Sequence, residues 1–250
     1  MPPVFSCMNG SDRMKQLELT PRLQTVADLV REGARLADIG TDHAYLPVWL
    51  LMQGRLKHAI AADIRSGPLD RARATAAEYG CTQQVQFVLC NGLADIGPDD
   101  VDTVVIAGMG GETIAAIMQA AGWLKSGSYH LLLQPMSAQE QLRGWLWRNG
   151  FVIEEERLVR EGEKLYNIFS VRPGSAQPMT LGQEWVGCQD EQMVQPLRSE
   201  YLNRVLAKLE RAISGVRQGA GEDNAVKLAE LERVCSAVAD MKREWDTWQV

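Results

Sequence analysis

The stretch Phe151–Val171, FVIEEERLVREGEKLYNIFSV, decides the architecture. Its two halves, FVIEEERLV and KLYNIFSV, are rich in β-branched and aromatic residues, and only REGE at 160–163 lies between them. A parallel crossover needs a dozen or more residues. The strands expected over 151–158 and 165–171 must therefore pair as an antiparallel hairpin.

Upstream, short apolar runs alternate with amphipathic stretches. The runs predict strands over 34–39, 58–63, 85–90, 102–107 and 129–134, and the stretches between them predict helices over about 17–31, 45–53, 68–79, 111–121 and 137–149. Such a βα series builds an open sheet with crossover helices. Ending the series in an antiparallel pair suits a Rossmann-like class I methyltransferase sheet better than the all-parallel sheet of a dehydrogenase.

The chain has 250 residues and is 46% apolar, enough for one ordinary domain and an appendage. Its net charge of -6 argues against a uniformly basic nucleic-acid coat and leaves room for a local basic face. Cys7, Cys81, Cys90, Cys188 and Cys235 are scattered and form no CxxC pair, so a reduced cytoplasmic protein without a structural metal is expected. Neither a membrane span nor a secretory signal is indicated.

Beyond Pro173 the composition changes. PGSAQP at 173–178 reads as a linker, and the polar, helical sequence after it carries apolar residues at three- and four-residue steps. These are Leu202, Val205, Leu209, Ile213 and Val216, then Leu228, Leu231, Cys235, Val238, Met241, Trp245 and Trp248. An antiparallel helical hairpin, a coiled coil turning near Gly219 and Gly221, is the expected result. The expected division is an extension at 1–14, a Rossmann-like catalytic domain at 15–175 and a coiled-coil domain at 176–250. Met14 is a candidate initiator. Arg204, Lys208 and Arg211 share a basic helix face that could meet phosphates; a solvated face balanced by acidic neighbours is the competing reading.

Four segments fall at predicted strand ends, where an open α/β sheet places its ligand crevice. In ADIGTDHAYLP at 37–47, Gly40 permits close approach of a ligand and Asp38 can accept from an ammonium group or a water. With one glycine there, the pyrophosphate fingerprint of nicotinamide and flavin enzymes is missing, whereas S-adenosylmethionine needs no such cradle. Asp63, ending the second strand, suits a ribose, or else it caps the next helix. Asn91 and Gly92 follow the third strand, and Asn91 can both donate to and accept from an adenine edge. Gly108, Met109, Gly110 and Gly111 follow the fourth, where exposed backbone amides suit an anion or a flat ring.

RLQTVADLV at 22–30, ADIGTDHAYLP, IAGMGG at 106–111 and LLLQP at 131–135, in this order, resemble the bacterial tRNA (adenine-22)-N1-methyltransferase family from about Lys15 to Val250. The resemblance implies methyl transfer from S-adenosylmethionine to N1 of adenine 22 in tRNA. It also implies cofactor contacts from Asp38, Gly40, Asp42, His43 and Asp63. Asn91 stands where family members often carry aspartate, and the glycines at 108–111 replace the Asn-Pro-Pro-Tyr motif of many amino-methylating enzymes, a departure the family shares.

Methylation at N1 leaves a cationic adenine, so a nearby carboxylate would stabilise it and could take an N6 proton. Asp42 is the first candidate and His43 an orienting or relay group, with a loop histidine that merely secures the turn as the alternative. Tyr45, Met109 and Tyr166 are candidate adenine contacts, with apolar packing the competing reading for each; Arg22, Arg204, Lys208 and Arg211 are candidate tRNA contacts, with a surface ion pair to Asp28 or Glu18 the alternative for Arg22. A monomer is expected, with dimerisation through the hairpin as the alternative. A small-metabolite methyltransferase and a non-catalytic interaction protein are the competing functions.

Overall fold

A computed structural model describes residues 16–218 and 222–249. The extension at 1–14, Met14 and the turn glycines Gly219 and Gly221 lie outside these residues. In chain order the elements are α1 (Pro21–Leu29), β1 (Leu36–Ile39), α2 (Tyr45–Met52), β2 (Ala59–Asp63), α3 (Ser66–Glu78), β3 (Val85–Leu89), β4 (Thr103–Gly110), α4 (Gly111–Ala120), β5 (His130–Ser137) and α5 (Gln139–Arg148). There follow β6 (Phe151–Glu161), β7 (Lys164–Pro173), α6 (Leu181–Val186), α7 (Arg198–Arg217) and α8 (Glu222–Trp248).

The seven strands form one sheet in the order β3-β2-β1-β4-β5-β7-β6. β1 to β5 pair in parallel, while β7 runs antiparallel to both β5 and β6. The hairpin is tighter than REGE alone suggests: Glu161 pairs with Lys164, leaving Gly162 and Glu163 as a two-residue turn with Gly162 at φ +58°. Burial explains why β7, and not β6, lies inside. Asn167 to Val171 are buried without interruption, whereas β6 carries Glu154, Glu155 and Arg157 on an open edge.

Both faces of the parallel strands are covered. One apolar cluster joins Val26, Val30, Leu46, Leu50 and Ala72 to one face, and a second joins Ile114, Met118, Leu142 and Leu146 to the other. Every residue of β1 and β2 is buried, including Asp38 and Asp63.

Helix starts differ from the periodicity in instructive ways. α1 begins at Pro21 and not near 17, because Thr20 accepts the Leu23 N–H at 3.5 Å and proline fits the first helical position. β4 continues through Gly110 with register shifts near Met109, so Gly108 and Gly110 belong to the strand end, and only Gly111 opens the helix. β5 likewise extends to Ser137, and α5 starts only after Ala138, which sits at φ +51°.

The region after Pro173 contains α6 in addition to the two long helices. Its capping box, Thr180 with Gln183, is a start signal that the linker composition concealed. α7 and α8 run antiparallel: Trp245 Nε1 donates to Ser199 Oγ at 3.0 Å, and Arg217 pairs with Glu232 at 2.6 Å. Leu202, Leu209, Val234, Val238 and Trp245 form their seam, which continues onto Leu158 and Leu165 of the hairpin.

Candidate functional site

The carboxyl ends of β1, β2 and β3 border a cleft of about 310 Å³ lined by Gly40, Asp63, Asn91, Gly92, Met109 and Ile117, among others. Parallel register brings the acids together: Asp38 lies opposite Ala61, two residues before Asp63. Gly40 is at φ +77°, and a Cβ there would lie 2.0 Å from Met109 Cε. The glycine is required by its backbone conformation, and a Cβ there would also displace the flexible end of Met109 in the cleft lining. Gly92 is equally constrained, at φ +60° with Ile117 Cγ2 2.9 Å from the position of a Cβ.

Burial raises the Asp38 pKa to about 6; a hydrogen bond with Thr41 opposes the rise, and the Asp63 carboxylate adds to it. Such a buried acid gains most from a cation placed beside it. Asp63 accepts the Arg65 N–H through Oδ1 at 2.8 Å, and Arg65 is the residue before α3. It therefore braces the turn, but a carboxylate has acceptor capacity beyond this bond. An ammonium acceptor, a ribose acceptor, Asn91 and two glycine-dependent approaches fit an adenosine ligand bearing an amino acid.

A second crevice edge lies where β4 and β5 end. Gln134 is fully buried at the end of an all-leucine run, and its Oε1 accepts both the Gly108 N–H at 3.1 Å and Arg22 Nη1 at 2.6 Å. Arg22 also lies 5.5 Å from the centroid of the Tyr166 ring, and its backbone N–H donates to Glu161 Oε2 at 3.1 Å. Arg22 and Tyr166 are expected from sequence as separate contacts, whereas Gln134 and Glu161 carry no expected role. The available signal was one amide ending an otherwise apolar strand.

Asp42 and His43 lie on the loop between β1 and α2. Asp42 Oδ1 is engaged by Arg71 of α3, whose Nε is 3.0 Å away, and Asp42 Oδ2 is 3.5 Å from His43 Nε2. The His43 ring stacks on Tyr45 with centroids 4.9 Å apart. These three residues therefore form one cluster with Arg71, which the sequence reading did not include. Their described contacts do not run to Gly108, Gln134 or Arg22.

The basic helix face separates on inspection. Arg204 donates to the Glu163 carbonyl at 2.6 Å and pairs with Glu200 at 2.7 Å, tying α7 to the hairpin turn. Arg211 Nε donates to the Ala207 carbonyl of its own helix at 3.0 Å. Lys208 is exposed and has no ion pair among the described residues. Among the described residues there is no cluster of three or more His, Cys, Asp or Glu fit for a metal, and no helix long and apolar enough to cross a membrane.

Residues 19–169 match the sequence family described as a methyltransferase domain. The tRNA (adenine(22)-N(1))-methyltransferase of Bacillus subtilis strain 168 is 35% identical over 161 residues, 64% of this chain and 68% of that protein. The crystal structure of the B. subtilis m1A22 tRNA methyltransferase TrmK is 28% identical with a TM-score of 0.81, covering 90% of this chain and 99% of the other. M. capricolum TrmK, in complex with its natural cofactor product S-adenosyl-homocysteine, is 25% identical with a TM-score of 0.75, covering 90% and 98%. Strand order, Asp63 in the cleft with Asp38 buried near it, and these likenesses agree: the chain belongs to the tRNA (adenine(22)-N(1))-methyltransferase family.

Proposed function

We propose that the protein transfers the methyl group of S-adenosylmethionine to N1 of adenine 22 in tRNA. The observation that carries the reading is the buried Asp38 beside Asp63 at the head of a glycine-bordered cleft, in a chain of this family. When bound, S-adenosylmethionine supplies a methyl already activated on a sulfonium.

Asp38 receives the ammonium of the amino-acid moiety, Asp63 the ribose hydroxyls, and Asn91 with Gly92 the adenine edge. Met109 and Gly108 to Gly110 shape the passage toward the acceptor, where exclusion of water and alignment do most of the catalytic work. The N1 lone pair forms the new N–C bond as the S–C bond breaks, which leaves a positive charge on the base. Asp42 stabilises that charge and accepts the N6 proton, with His43 orienting it and Tyr45 contacting the base. For this, Asp42 must release Arg71 when RNA docks. Arg22 and Tyr166 border the acceptor, held by Gln134.

The 176–250 unit, through Arg204, Lys208 and Arg211, contributes backbone contacts to the tRNA, read largely by shape. The target base must leave its stack to reach the sulfonium. Acting on tRNA places the protein in the cytoplasm, and we propose that it works as a monomer. The test is mass spectrometry of a digest of unmodified tRNA incubated with protein and S-adenosylmethionine. N1-methyladenosine at position 22 is the expected product; methyl transfer elsewhere, or to no RNA, refutes the reading.

A further inference from the structure

We propose that the crevice between the end of β5 and helix α7 is a second nucleotide subsite, holding the base and phosphate of a residue that neighbours the target adenine. The proposal rests on the tRNA-methylating function above. The crevice has a volume of about 290 Å³, at the lower edge of the range for small-molecule sites and suited to one nucleotide.

Its position ties it to the acceptor. Met136 is 45% exposed although strongly apolar, its sulfur lies 3.5 Å from Gln134 Nε2, and its side chain also lines the crevice. Ser137, next along the wall, has its hydroxyl 3.2 Å from where a Cβ on Gly110 would stand. Met136 is thus a partition: Gln134 and Gly108 are on one side and the new crevice is on the other.

Its chemistry suits a nucleotide. Trp185, Leu165 and Val205 give apolar surface for a flat base, and Glu140 offers an acceptor for an exocyclic amino group. Lys208 stands at the same crevice as an exposed cation without a carboxylate partner among the described residues, whereas Arg204 beside it is already held by Glu163 and Glu200. Lys208 is therefore the phosphate ligand. The far wall is fixed in place, because Gln139 Oε1 accepts both Asn167 Nδ2 at 2.7 Å and the Tyr201 hydroxyl at 3.2 Å. The site is preformed between the catalytic sheet and the appendage.

The experiment is a cycle of protein variants against tRNA transcripts that lack the base on either side of the target adenine. Wild type, Met136→Ala, Lys208→Ala and Lys208→Arg are compared by kcat/KM for methyl transfer, with cofactor affinity as the control for folding. Loss of one neighbouring base should cost wild type about tenfold, the order of a base-stacking contact, and Met136→Ala less than about threefold. Replacing the phosphate at that nucleotide by methylphosphonate should cost wild type and Lys208→Arg alike, and Lys208→Ala little further. Losses that multiply independently, or no loss on removing either base, overturn the subsite while leaving the methylation reading intact. Absence of methyl transfer to intact tRNA overturns the functional reading, and the subsite with it.

Discussion

The ammonium contact proposed for Asp38 makes cofactor affinity depend on pH with a defined sign. Its pKa in the free protein is about 6, raised by burial against the Thr41 hydrogen bond and further by Asp63. An ammonium group demands the ionised carboxylate, so the apparent Kd scales with the reciprocal of the ionised fraction, as 1 + 10^(pKa − pH). That factor is about 1.1 at pH about 7 and about 11 at pH about 5, a weakening of roughly tenfold, or ~1.4 kcal/mol. The same shift acts on stability. A carboxyl whose folded pKa exceeds its ordinary value of 3.8 destabilises the free fold as pH rises, with the penalty absent below about pH 4 and complete above about pH 6. Across about 2 pH units it amounts to about 3 kcal/mol, an order of magnitude for a group almost wholly shielded from water. Asp38→Asn should therefore raise the Tm of the free protein at pH about 8 and bind S-adenosylmethionine more weakly, without the pH dependence. Calorimetric titration between pH about 5 and 8, in buffers of different ionisation enthalpy, reads both affinity and proton release. A pH-independent wild-type affinity, or the same slope in Asp38→Asn, refutes the assignment.

Gly40→Ala should lower cofactor affinity by more than about tenfold, measured by calorimetry, since a Cβ at φ +77° would stand 2.0 Å from Met109 Cε; the double variant with Met109→Ala should recover only the steric part. Arg143→Met should destabilise the fold by about 3 kcal/mol in chemical denaturation, because it strands the Glu156 carboxylate, and Arg143→Met with Glu156→Gln should recover much of the loss. Burial lowers the pKa of His130, so its neutral form is the native one and stability should fall as pH drops through about 6.5; His130→Gln should flatten that part of a Tm profile. Asp42→Asn should reduce kcat for tRNA methylation by at least about a hundredfold and leave cofactor affinity unchanged; wild-type turnover at saturating substrates removes the acid from the mechanism.

The parallel half of the fold was legible because β1, β2, β4 and β5 are short apolar runs buried on both faces, and the hairpin was legible because REGE is too short for a crossover. The place of β7 inside the sheet was not, since strand order depends on which hairpin arm buries both faces. That Gly40, Asp63, Asn91, Gly92 and Met109 meet at one cleft was legible because strand ends in this architecture converge; Asp38, Gly108 and Gly110, expected with them, are outside that lining. Gln134 could not, because its role comes from a register that brings Gly108 and Arg22 to one amide oxygen across 26 and 112 residues. The Arg71 partner of Asp42 was hidden for the same reason, at a separation of 29 residues.

The contacts of Arg143 bear on how the appendage works. This fully buried guanidinium meets Glu156 of β6 at 2.9 Å, the Trp185 carbonyl of α6 at 2.9 Å and the Tyr201 hydroxyl of α7 at 3.4 Å. Burial disfavours its charge, but the Glu156 carboxylate beside it outweighs that and holds the group charged. Arg198 takes the next carbonyls of α6, those of Val186 and Gly187, so two cations close the carbonyl end of one short helix. Cutting the chain near residue 180 would leave Arg143 with orphaned donors and Leu158 and Leu165 bare. A truncated protein would thus lose stability together with RNA affinity, and only surface changes such as Lys208→Ala can separate the two. The same joint reaches the end of β5: Tyr201 and Asn167 converge on Gln139, the first residue after Ala138 at φ +51°, just beyond the strand end that carries Met136. Through this joint α7 is tied to the strand end that carries Met136.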